Sequence, residues 1–92
     1  MTNRCLKVLL VEDDPGDAFL LKTLLTQTEP VRFDLVCATR LAEGLESLSR
    51  TAFDIMLLDL SLPDSVGLAT IDKVRTYTLD VPIIVLTGLD DE

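Results

Sequence analysis

Apolar and polar positions along the chain follow two alternating rhythms. Three short runs are almost wholly apolar: Val8 to Val11, Ile55 to Leu58 and Ile83 to Leu86. Their length and β-branched content predict strands buried on both faces, as in a parallel sheet. A fourth run, Phe33 to Ala38, includes Asp34 and predicts a strand at the sheet edge or one exposed at its start. Between the runs the period lengthens. Ala18, Leu21 and Leu25 form a helical stripe, with Asp14 placed to cap it, Pro15 at the first helical position and Pro30 at its end. Leu41, Leu45 and Leu48 behind Thr39 predict a second helix, and Leu68, Ile71 and Val74 behind Gly67 a third. The order βαβαβαβ implies a doubly wound α/β fold with right-handed crossovers around a parallel sheet.

This rhythm also bears on length. A further helix and strand after Leu86 would need about 25 more residues, whereas Thr87 to Glu92 are the residues that remain. The expectation is one incomplete domain over residues 1–92, stopping a turn into a fourth helix. The content of 48% apolar residues suits a single core.

Charge narrows the partners. The 16 acidic residues against 8 basic ones leave a net charge of −8, spread along the chain, which disfavours contact with a nucleic-acid backbone. No apolar run approaches the ~18 residues of a membrane span, and the start MTNRCLK lacks an apolar signal region, so a cytoplasmic location is expected. Cys5 and Cys37 stand in apolar surroundings without a CxxC spacing or any His. They are expected to be small buried hydrophobes rather than a redox pair or metal ligands.

The candidate chemistry lies at the strand ends. In an open parallel sheet, ligands bind beyond the carboxyl ends of the strands, where the winding reverses. Glu12 and Asp13 follow the first strand, Asp59 the third and Thr87 the fourth. If the first and third strands are neighbours, Glu12, Asp13 and Asp59 converge. Carboxylates so placed repel, and a shared proton or a bound cation relieves them. Mg²⁺ suits oxygen ligands of this kind, and a carboxylate such as Asp59 can attack phosphorus. Plainer roles compete residue by residue. Asp13, Asp14 and Asp17 suit a helix N-terminus, Thr87 could cap a helix, Asp59 could be a turn residue, and SLPDSVG could be a turn with Pro63 fixing φ and Gly67 admitting an unusual backbone angle.

Taken together, VLLVEDD, LLDLSLPDSVG and VPIIVLTG, with Pro63 four, Gly67 eight and Thr87 twenty-eight residues after Asp59, resemble the receiver domain of bacterial two-component response regulators. That resemblance implies a flavodoxin-like (CheY-like) sheet of strand order 2-1-3-4, with the fifth βα portion missing. It also implies a Mg²⁺-dependent phosphoacceptor. Asp59 would accept a phosphoryl group from the phosphohistidine of a sensor histidine kinase or a histidine phosphotransfer protein. Asp13 would bind Mg²⁺ directly, Glu12 mainly through water, and the backbone carbonyl of Ser61 would be a further ligand. Thr87 would be the switch hydroxyl. The family carries a phosphate-contacting Lys at the end of a fifth strand and an aromatic switch residue on that strand; neither position exists in this sequence. An uncovered fourth strand and apolar face would invite a homo-dimer or higher oligomer.

Two other classes compete with the signalling reading. A pseudo-receiver scaffold would have no use for the set Glu12, Asp13, Asp59 and Thr87. An aspartyl phosphohydrolase resembling the haloacid dehalogenase family would need an acid two residues after the nucleophile, where Ser61 stands. Dinucleotide binding lacks GxGxxG in the first turn, EDDPGD.

Overall fold

The computed structural model describes residues 5–27 and 32–86. In chain order the elements are β1 (Cys5–Val11), α1 (Pro15–Thr26), β2 (Arg32–Ala38), α2 (Leu41–Arg50) and β3 (Ile55–Asp59). The two-residue strands β4 (Ser61–Leu62) and β5 (Ser65–Val66) come next, then α3 (Ala69–Tyr77) and β6 (Ile83–Leu86). The larger sheet has the order β2-β1-β3-β6, and every pairing in it is parallel. The alternation of elements predicts the doubly wound parallel sheet, and this order is the flavodoxin-like one that the receiver-domain resemblance implies. β4 and β5 form a small antiparallel hairpin within SLPDSVG, where the plainer reading has a simple turn.

Strand pleating divides the core in two. Leu9, Val11, Met56 and Leu58 face one way and pack with Leu41, Leu45 and Leu48 of α2 and Ile71 and Val74 of α3. Val8, Leu10 and Leu57 face the other way, onto Ala18, Leu21 and Leu25 of α1. Val8 to Val11 are fully enclosed, as a strand central to a parallel sheet should be. At Gly44 a Cβ atom would come within 2.8 Å of Val11 Cγ2, so the missing side chain lets α2 lie close against β1.

Several expectations are corrected. β6 is the outer strand among the described residues, and Ile84 is 49% exposed, so its apolar run is not buried on both faces. Leu68 is 71% exposed. It occupies the turn before α3, and the helix instead buries Thr70 and Val74. Cys5 and Cys37 are both exposed free thiols, because Cys5 starts its strand and Cys37 lies on the sheet-edge strand β2. α2 begins after Arg40, whose side chain makes no capping bond. The Thr39 N–H and hydroxyl both donate to Glu43 Oε1, at 2.9 and 3.1 Å. No helix among the described residues is long and apolar enough to cross a membrane.

Candidate functional site

Register brings the acids together. β1 and β3 pair with Val11 opposite Leu58, so the next residues, Glu12 and Asp59, stand side by side at the carboxyl end of the sheet. Glu12 remains tied to the ladder, its N–H donating to the Ala38 carbonyl at 3.0 Å. Asp13 sits on the exposed turn beside it. One carboxylate oxygen from each of Glu12, Asp13 and Asp59 can be chosen so that all lie within 4.8 Å of one another.

Local hydrogen bonds hold this turn and the next one. Asp14, in extended conformation, accepts the N–H groups of Gly16 at 2.8 Å and Asp17 at 3.2 Å through Oδ1, and so caps α1. Of the three consecutive acids, Asp14 is thus engaged by the helix. Its own N–H donates to Glu12 Oε2 at 3.2 Å. On the neighbouring strand, Asp59 Oδ1 accepts the Ser61 N–H at 3.0 Å. Ser61 opens the hairpin, which the Gly67 N–H closes on the Leu60 carbonyl at 2.7 Å. Gly67 adopts φ of +81°, the left-handed region that favours glycine.

Two of these acids are buried side by side. Glu12 is 7% exposed and Asp59 8%, and the ion pairs seen among the described residues, Lys7 with Asp34 and Arg50 with Glu46, lie elsewhere. Burial pushes the Glu12 carboxyl up to about 7. The Asp14 N–H pulls it down, while a side-chain hydrogen bond with Asp59 and the charges of Asp59 and Asp17 add to the rise. Such a cluster either holds a proton between acids or takes up a cation, and an all-oxygen donor set fits a hard divalent ion such as Mg²⁺.

Four of the five residues singled out in the sequence fall at this end of the sheet: Glu12, Asp13, Asp59 and, two residues beyond Asp59, Ser61. Thr87 lies outside the described residues. One structural contributor had no local signal in the sequence. Asp64, at the hairpin tip, bonds the start of α2, and a partner more than twenty residues distant leaves no periodic trace.

The fold and site together define a flavodoxin-like α/β domain with a cluster of three acids, at the carboxyl end of its sheet, that could hold a metal ion. The model of the response regulator receiver domain matches residues 8–92, and the chain belongs to that family, the signalling module of two-component systems. The swarming motility regulation protein RssB of Serratia marcescens is 40% identical over 85 residues, covering 92% of this chain and 37% of that protein. The transcriptional regulatory protein BasR of Escherichia coli is 37% identical, again covering 92% of this chain and 37% of the relative. The chain thus spans little more than a third of these relatives' length. Among solved structures, the receiver domain of Francisella response regulator 1452 superposes with a TM-score of 0.78 at 26% identity, over 94% of this chain and 69% of that one. The non-phosphorylated HemR receiver domain from Leptospira biflexa gives 0.72 at 32% identity, over 94% and 67%.

Proposed function

We propose that this chain is a phosphoacceptor whose reactive group is the Asp59 carboxylate. An Asp59 oxygen attacks the phosphorus of a phosphohistidine on a sensor histidine kinase or a histidine phosphotransfer protein. The new O–P bond replaces the N–P bond, and the departing imidazole takes a proton from solvent. Glu12, Asp13, Asp59 and the Ser61 carbonyl would hold Mg²⁺, which when bound neutralises the oxygens of the transferring group. The residues themselves orient it: Asp59 is steadied by the Ser61 N–H and Glu12 by that of Asp14. In this reading Thr87 supplies the hydroxyl that bonds the acquired phosphoryl group.

The observation that carries the proposal is the convergence of Glu12, Asp13 and Asp59 within 4.8 Å. Incubation with Mg²⁺ and acetyl phosphate is expected to add one phosphoryl group, seen by intact-mass measurement and lost in Asp59→Asn. Uptake undiminished in that variant would sink the assignment. Should wild type take up nothing while a chain extended through the family's fifth strand does, the shortfall lies in the Lys of that strand. The same reading places the module in the cytoplasm. The position of β6 as the outer strand among the described residues favours pairing of two copies along that edge, which light scattering showing only monomer at tens of micromolar would exclude.

A further inference from the structure

The segment after Asp59 must be held still if Ser61 is to serve the site, and a small hairpin of two-residue strands is poorly suited to do so by itself. Part of its support is local. Leu62 is buried in the core, and the buried hydroxyls of Ser65 and Thr70 bond each other at 2.7 Å. The hairpin tip is tied elsewhere. Asp64 reaches α2, where the Leu41 N–H donates to Oδ1 at 2.8 Å and the Ala42 N–H donates to Oδ2 at 2.9 Å.

Both donors belong to the first turn of a helix, whose N–H groups have no partner within the helix. Arg40, at the cap position, offers no side-chain bond. Desolvation raises the Asp64 carboxyl, but the N–H groups of Ala42, Leu41 and Asp64 itself and the charge of Arg40 outweigh it, leaving the group below its ordinary value. α2 is in turn seated on β1, with Gly44 against Val11, the residue before Glu12. A continuous path of contacts therefore runs from the hairpin through Asp64 and α2 to the strand that delivers Glu12 and Asp13.

From this path we infer that Asp64 is a positioning residue for the acidic site: its two bonds to α2 fix the 60–67 hairpin, and so Ser61, relative to Glu12 and Asp13. The inference rests on the proposed metal-binding role of that site. It concerns a tether, with Asp64 itself touching neither metal nor phosphoryl group.

The experiment compares wild type, Asp64→Ala, Asp64→Asn and Glu43→Ala by NMR. Glu43→Ala removes the Thr39 bonds at the same helix end and leaves the hairpin tether intact. Asp64→Ala is expected to weaken Mg²⁺ binding by up to about tenfold, the low end of what loss of a direct partner of a metal ligand costs, because Asp64 acts at one remove. Metal-free, the same variant should lose hydrogen-exchange protection at the Ser61 and Gly67 amides. Asp64→Asn, which keeps one acceptor oxygen, should recover part of both, and it serves alone if the Ala variant does not fold. Glu43→Ala should bind Mg²⁺ as wild type does. Wild-type affinity and protection in both Asp64 variants would overturn the inference, as would an equal loss in Glu43→Ala. If wild type itself ignores Mg²⁺, the functional reading fails, and the metal-free exchange data still decide the tether.

Discussion

At the amino end of the sheet, Asp54 accepts the Lys7 N–H through Oδ2 at 2.8 Å and returns its own N–H to the Lys7 carbonyl at the same distance, while Lys7 Nζ lies 3.7 Å from Asp34. At the carboxyl end, Glu12 and Asp59 face each other with one backbone donor apiece. Acids at the first end fasten β1 to its neighbours. Acids at the second are gathered against their mutual repulsion by a ladder that gives them no choice. Burial decides the cost: the amino-end bonds are exposed, whereas Glu12 and Asp59 are almost closed off from water. Removing a charge should therefore have opposite signs at the two ends.

The largest effect is expected at Glu12. Its carboxyl lies near 4.5 in the unfolded chain and at about 7 in the folded one. Between those values the folded chain keeps a proton that the unfolded chain releases, so metal-free stability falls as pH rises through this window. The full loss is about 3 kcal/mol. Glu12→Gln should remove the fall and be the more stable protein at pH 8 by a similar amount, read from urea unfolding. Millimolar Mg²⁺ should flatten the wild-type curve. A wild-type stability that holds level from pH 5 to 8 without metal would contradict the picture of a frustrated acid pair.

Asp54→Ala should act in the other direction, costing about 1 kcal/mol through the Lys7 N–H left without its acceptor. Mg²⁺ affinity should be untouched, and any loss of it would mean that the two ends are coupled. The smallest effect belongs to Lys7→Gln. With both side chains of the Lys7–Asp34 pair well exposed, the change should stay below about 1 kcal/mol and vanish at high salt. A larger value would show that this ion pair matters to the edge strand β2.

Periodicity made the sheet and helices legible because their burial is set by regular facing: Val8 to Val11 alternate between two cores, and Leu41, Leu45 and Leu48 form one stripe. It failed where position in the sheet or at a helix end overrides composition. Cys37 is apolar in context but lies on an edge strand, and Leu68 has the spacing of the third helix yet occupies its entry turn. The convergence of Glu12, Asp13 and Asp59 was legible because the three acids stand at the carboxyl ends of strands that prove to be neighbours. The Asp64 tether was not, since its geometry depends on how a hairpin tip meets a helix distant in the chain.

Pairing of Val11 with Leu58 also limits how the chain can change length. One residue gained or lost inside β1 or β3 would invert the facing of every side chain beyond it and part the two buried acids. Residues gained in the connection between α2 and β3, at the opposite end of the sheet, leave that pairing intact. A change of length there would disturb the Asp54 bonds to Lys7, while the acid pair keeps a fixed address set by backbone count.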